Sequence, residues 1–275
     1  MSGSGHAQGK RTASELPSAL GSWEEIAGAL EHKRPAVFLD YDGTLTPIVS
    51  QPEDALLSEG MRSVLSDLGT LCTVAIVSGR DRNDVEPLVG LEGLVYAGSH
   101  GFDIKGPDGL RLEHEGGRKC LPDLEQAEAE LGARLSSVAG ARVERKRFAI
   151  ANHYRNVGES DVPRVEQAVS EVAALHERLR ISGGKKVLEL RPDIQWDKGR
   201  AVVWLLEALG LDGGGVLPLY VGDDVTDEDA FEVLATRGVG VLVGSPDYKT
   251  NATYGLRDTA EVQRFLLELI NWLRG

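Results

Sequence analysis

Asp40 and Asp42 stand two residues apart at the end of a short apolar run, and Gly43 follows at once. The run, Ala36 to Leu39, shows no polar alternation, the pattern of a strand buried on both faces of a parallel sheet. Open α/β sheets bind their ligands beyond the carboxyl ends of such strands. Alternation turns Tyr41 away and returns Asp42 to the side of Asp40, and a glycine lets the backbone turn without a Cβ in the way. Two carboxylates facing one small space repel, and one holds its proton. A divalent cation between them keeps the first ionised and usable as a nucleophile. An isolated Asp-x-Asp-Gly is equally a good turn, so the chemistry depends on partners elsewhere in the chain.

Such partners lie downstream. Pro218 to Phe231 repeats the logic: an apolar strand, Gly222, then Asp223, Asp224 and Asp227. Acids at a helix start complement its dipole, but here two acidic bursts fall at two strand ends of one sheet. Hard oxygen donors with few nitrogens nearby favour Mg²⁺ over zinc or copper. Lys198 opens a helix after Trp196 and Asp197 and supplies positive charge that carboxylates and a phosphate lack. A second buried strand, Cys72 to Val77, ends in Ser78, Gly79 and Arg80, where a helix start presents a hydroxyl and backbone N–H groups to an anion. A third strand at 94 to 98 runs into Ser99 and His100, and His100 receives no role.

The elements that position these residues follow from periodicity. Leu16, Leu20, Trp23, Ile26, Ala27 and Leu30 recur at helical spacing from Glu15, and Ser58 caps a helix carrying Met61, Val64, Leu65 and Leu68. After Gly106 the texture changes: a helix at 121 to 138, strands at 141 to 145 and 148 to 153, a helix at 162 to 178, and strands at 179 to 182 and 187 to 191. This αββαββ order predicts an antiparallel α+β insert. A helix from Lys198, a strand at 217 to 221, a helix from Thr226, a strand at 239 to 243 and a helix at 258 to 273 resume the α/β pattern. The expected organisation is a disordered tail over 1–14, a parallel Rossmann-like core over 15–105 and 192–275, and a cap domain over 106–191.

Composition narrows the class. A length of 275 residues suits two modest domains, and a formal charge of −13 argues against binding nucleic acid or a membrane surface. Cys72 and Cys120 are the only cysteines, without paired spacing, which excludes a disulfide framework and points to a reducing cytoplasm. No apolar run reaches the length of a membrane span, and the first fourteen residues lack the apolar centre of a secretion signal.

With these residues in hand, the chain resembles the haloacid dehalogenase-like phosphatases from about residue 34 to 272. Their four motifs match DYDGT at 40–44, VSGR at 77–80, WDKG at 196–199 and GDDVTDED at 222–229. The resemblance implies Asp40 as the nucleophile that forms an aspartyl-phosphate, and Asp42 as general acid on the leaving oxygen, then base for water. It implies Thr44, Ser78, Gly79, Arg80 and Lys198 at the phosphate. Mg²⁺ is implied on Asp40, the Asp42 backbone carbonyl and Asp223, with Asp224 and Asp227 ligating directly, through water or at one remove.

Within the insert, Glu144-Arg145-Lys146, His153-Tyr154-Arg155 and Gly184 to Glu189 look like the sugar-reading positions of trehalose-6-phosphate phosphatases. In that family these are a Glu-x-Lys pair, an arginine nine residues after the lysine, and a lysine and glutamate four apart. The spacings agree at Glu144, Lys146, Arg155, Lys185 and Glu189. Period-two placement puts Glu144 and Lys146 on one strand face. The resemblance implies Mg²⁺-dependent hydrolysis of trehalose 6-phosphate by a cytoplasmic monomer. Its rivals are a phosphatase for sucrose phosphate or a glycosylated phosphoglycerate, a phosphomutase with the same nucleophile, and a non-catalytic phosphatase-like regulatory domain.

Overall fold

A computed structural model of the chain describes residues 10–49, 51–184 and 186–275. In chain order come β1 (Arg11–Thr12), α1 (Trp23–Leu30), β2 (Arg34–Leu39), α2 (Glu59–Leu71), β3 (Thr73–Val77), α3 (Arg82–Val89), β4 (Val95–Gly98), β5 (Asp103–Lys105) and β6 (Arg111–Glu113). Next come α4 (Glu115–Lys119), α5 (Leu121–Leu135), β7 (Arg142–Lys146), β8 (Ala149–His153), α6 (Val162–Leu175), β9 (Leu179–Gly184) and β10 (Val187–Pro192). The chain closes with α7 (Lys198–Ala208), β11 (Val216–Gly222), α8 (Glu228–Leu234), β12 (Val239–Val243), β13 (Lys249–Thr250), β14 (Tyr254–Leu256) and α9 (Thr259–Arg274).

Two compact units form. Of the described residues, those from 10 to 111 and from 196 to 275 make up one, and those from 112 to 195 the other. The first is built on an eight-stranded sheet in the order β14-β12-β11-β2-β3-β4-β5-β6. From β14 to β4 neighbouring strands run parallel, and β5 turns back antiparallel to β4. Strands buried on both faces read as continuous apolar runs, and every residue of β11 and β12 is buried. The strand order reverses at β2, with β3 on one side and β11 on the other, which is where such sheets open a crevice for ligands.

The second unit is a four-stranded antiparallel sheet, order β7-β8-β10-β9. Leu124, Leu131, Val165, Val169 and Val172 of α5 and α6 pack with Ile150 and Leu190, which are register partners, in one apolar core. The alternate face of those strands carries Glu144, Ala151 and Glu189, in register across β7, β8 and β10.

Three local expectations are corrected. The helix expected from Glu15 begins only at Trp23, because Leu16 precedes Pro17 and is held extended (φ −75°, ψ 133°). No helix starts at Ser78; α3 starts at Arg82, since the carbonyls of Ser78 and Arg80 accept from the N–H groups of His100 and Ser99, at 2.8 and 2.7 Å, instead of opening a helix. Of the tail expected to be disordered, residues 1–9 lie outside the described residues, whereas Arg11 and Thr12 pair antiparallel with Thr250 and Lys249. Among the described residues no helix is long and apolar enough to cross a membrane.

Candidate active site

β2 and β11 are adjacent and parallel, so the residues that follow them share one sheet edge. The Asp40 N–H donates to Val221 O at 2.9 Å, which extends the pairing one step beyond β2. Asp40, Asp223 and Asp227 each bring a carboxylate oxygen within 4.8 Å of the others. Lys198 opens α7, whose N-cap Asp197 accepts from Arg200 N at 2.8 Å. From there its Nζ donates to Asp40 Oδ1 and to Asp227 Oδ1, at 2.7 Å each. Tyr220, within β11, donates its hydroxyl to the same Asp227 oxygen at 2.6 Å, and the N–H groups of Asp223 and Asp224 donate to Asp227 Oδ2 at 3.1 and 3.0 Å. A carboxylate has about four acceptor positions, so Asp227 is fully occupied in fixing Lys198 and the turn after β11.

The electrostatics follow from burial. Burial raises the pKa of Asp40 well above the usual carboxylate range against the pull of Lys198, and repulsion from Asp227 and Asp223 adds to the rise. Asp223 is pushed up to about 7 by burial and then by Asp227. Burial presses Lys198 toward neutrality, but Asp227 and Asp40 overcome it and hold the ammonium above the ordinary lysine value. The donor set also fits a hard cation. Asp223 Oδ1 is buried without a hydrogen-bond partner among the described residues, beside two further carboxylates, and a cation there would offset the repulsion that burial magnifies.

Gly43 shapes this site. Its φ is +81°, and a Cβ there would stand 2.0 Å from Asp223 Oδ2. The backbone after Asp42 thus passes directly against the second acidic loop, which only glycine permits.

The remaining core residues divide. Thr44 is fully buried, and its Oγ1 has no hydrogen-bond partner among the described residues. Ser78 is buried, with its Oγ accepting from Arg80 N at 3.1 Å. Gly79 lies against His100, whose Cε1 is 2.9 Å from where a Cβ would be. Asp42 does not join the clustered carboxylates as its spacing from Asp40 suggests. Both its oxygens accept from Arg80, Oδ2 from Nε and Oδ1 from Nη2, at 2.7 Å each. Asp224 also stands apart; it is exposed and accepts from Val225 N at 2.6 Å, capping the short turn before α8.

In the second unit, Lys146 Nζ donates to Glu189 Oε1 at 2.6 Å. Glu144 Oε2 is hydrogen-bonded to His153 Nε2 and accepts from Arg142 Nη2, both at 2.7 Å. Arg155 is exposed in the turn after β8, and Lys185 lies outside the described residues. His153 and Arg142 were not singled out as site residues from the sequence. Arg142 and His153 are register partners on β7 and β8, so period-two counting back from Glu144 reaches the first, but a pairing register is needed to reach the second. Tyr220 was likewise missed, since within an apolar strand it reads as core.

The sequence model of the family described as Trehalose-phosphatase matches residues 38–263. The probable trehalose-phosphate phosphatase G of Arabidopsis thaliana is 44% identical over 280 residues, covering 94% of this chain and 74% of its own. The trehalose-phosphate phosphatase of Mycobacterium tuberculosis is 43% identical over 270 residues, covering 97% and 68% respectively. Among solved structures, a trehalose-6-phosphate phosphatase related protein superposes with a TM-score of 0.75 at 26% identity, covering 87% of this chain and all of that one. The largely parallel sheet with an α+β insert is the haloacid dehalogenase-like architecture expected from the four motifs. The match spans both acidic strand ends, Lys198 and the whole insert, and the chain belongs to the trehalose-phosphatase family.

Proposed function

We propose that the protein hydrolyses trehalose 6-phosphate to trehalose and phosphate, as a Mg²⁺-dependent cytoplasmic monomer. One observation carries the reading: a buried lysine holds Asp40 at the carboxyl edge of the sheet in a chain of this family. Asp40 attacks phosphorus and forms an aspartyl-phosphate, splitting one difficult displacement into two. Lys198 fixes the aim of Asp40 and supports the charge that develops on the phosphoryl oxygens. Asp42, two residues on, protonates the departing sugar oxygen and then takes a proton from the attacking water.

Mg²⁺ would be held by Asp40, the Asp42 backbone carbonyl and Asp223, where it would shield the phosphate's charge from the carboxylates. Asp227 serves from behind, because its acceptor positions are filled by Lys198, Tyr220 and two backbone N–H groups. Asp224 shapes the turn. Thr44, with a buried hydroxyl that has no hydrogen-bond partner among the described residues, and Ser78 with Gly79 line the phosphate's place. Residues 106–191 act as the cap domain, in which Glu144, Lys146, Arg155, Lys185 and Glu189 read the glucose hydroxyls. Paired carboxylates and cations suit hydroxyls that both donate and accept.

Phosphate release from a panel of sugar phosphates, with Mg²⁺ and with a chelator, tests the proposal. The expected result is a preference for trehalose 6-phosphate that vanishes on chelation and returns with Mg²⁺. A preference for sucrose phosphate or glucose 6-phosphate rejects the substrate, full activity in chelator rejects the metal, and phosphate retained on an isomerised sugar makes the enzyme a mutase.

A further inference from the structure

The resemblance implies Arg80, with Ser78 and Gly79 of the same motif, at the phosphate, yet its side chain is engaged elsewhere. Its Nε and Nη2 grip the two oxygens of Asp42 at 2.7 Å each, the fork-to-fork geometry that fixes a carboxylate in direction as well as place. The guanidinium carbon also lies 5.5 Å from the centroid of the Tyr41 ring. That ring is fully buried and anchored by its hydroxyl, which donates to Ala55 O at 2.7 Å. The Arg80 backbone is clamped on both sides, its N–H donating to Ser78 Oγ at 3.1 Å and its carbonyl accepting from Ser99 N at 2.7 Å.

The clamp itself is an unusual piece of backbone. Ser99 and His100 both have left-handed φ, 51° and 56°, a conformation that residues with a Cβ adopt at a cost. It lets their successive N–H groups reach Arg80 O and Ser78 O, while Ser99 Oγ donates to Asp81 Oδ1 at 2.5 Å. Exposure completes the picture: the Asp42 side chain is 42% exposed and that of Arg80 16%, so the arginine is the more buried member of the pair.

We infer that Arg80 is the positioning residue for Asp42, fixing the aim of its carboxylate, and is not a ligand of the substrate phosphate. This rests on the reading of Asp42 as the group that moves the proton. A residue one bond rotation out of line loses much of its rate advantage, so loss of the fork should appear in kcat, whereas loss of a ligand that grips the phosphate equally in the ground and transition states appears in KM.

The test is a double-mutant cycle on the disaccharide phosphate, with thermal melts to establish folding. Arg80→Ala should lower kcat about 30-fold with KM changed less than about threefold. In an Asp42→Ala background the same substitution should change kcat less than about twofold, because residues acting through one another are not additive. Arg80→Lys keeps the charge without the planar fork, and should recover little of kcat. Guanidinium ion added at about tens of millimolar, far below its denaturing range, should partly rescue Arg80→Ala and leave Asp42→Ala unchanged. A rise in KM of about tenfold at unchanged kcat, full additivity in the cycle, or full rescue by lysine overturns the inference and leaves Asp42's role standing. Wild-type kcat for Asp42→Ala alone removes that role, and the inference with it.

Discussion

Lys146 and Glu189 meet across a strand that separates them: Lys146 Nζ lies 2.6 Å from Glu189 Oε1, although β8 runs between β7 and β10. Ala151 of β8, in register with both Glu144 and Glu189, leaves room for the span. The pair is held before any sugar arrives, so little side-chain entropy remains to be lost on binding.

Truncating Glu189 or Glu144 to alanine should therefore cost about 2–4 kcal/mol in kcat/KM for trehalose 6-phosphate, the scale of hydrogen bonds to charged groups together with their unpaired partners. A small aryl phosphate makes no sugar contacts, and its hydrolysis should barely change. Equal losses on both substrates in steady-state assays would reassign these residues to holding the insert's fold.

Asp40→Asn should show no steady-state turnover, because an amide cannot attack phosphorus. The protein should still fold, since Lys198 retains Asp227 and the substitution removes one of three crowded carboxylates. Circular dichroism and phosphate release on the purified variant check both halves, and measurable turnover ends the nucleophile assignment.

Asp42→Ala should slow esters with poor leaving groups more than aryl phosphates, since a sugar alkoxide needs a proton and a nitrophenolate scarcely does. The ratio of the two kcat/KM values is the measurement. If it matches the wild-type ratio, Asp42 does not deliver the proton.

Gly43→Ala should destabilise the protein by about 1–3 kcal/mol and cut turnover more than about 100-fold, because left-handed φ and the close approach of Asp223 both exclude a Cβ. Gly109 is the control, with φ +79° and nothing within 4 Å of a Cβ, so Gly109→Ala keeps the strain without the clash. Urea unfolding and turnover of the two variants separate the effects, and normal turnover in Gly43→Ala would contradict the close approach.

Glu144 supplies a pH dependence. The hydrogen bond from His153, opposed by partial burial and joined by Arg142, holds its carboxyl at about 2 against an ordinary 4.5. A depressed carboxyl pKa contributes stability that is present above the unfolded value and lost as pH falls through the folded one. The window is therefore pH 4.5 down to about 2. Screening at a side chain that is 31% exposed reduces the contribution to about 1 kcal/mol. Urea unfolding of Glu144→Gln should show that deficit at pH 7, shrinking through the window, and a deficit independent of pH would mean that the charge of Glu144 contributes nothing.

Much of this protein was legible from sequence, for a physical reason: strands buried on both faces are apolar without interruption, and their ends are where polar residues must begin. That rule located Asp40 after β2 and Asp223 after β11, and period two placed Glu144 and Lys146 on one face of β7. Helical spacing gave the order of helices and strands in the insert, because each element buries one face locally. Pairings across the chain were decided by tertiary structure. Asp42, two residues from Asp40, is matched instead by Arg80, thirty-eight residues away, and Lys198 reaches Asp40 over 158 residues. Sequence spacing fixes which face a side chain leaves from, whereas the neighbour it finds depends on strand order. Only the placement of β11 beside β2 closes the acidic site, and only the register of β8 between β7 and β10 sets Glu144 beside His153 and Lys146 beside Glu189.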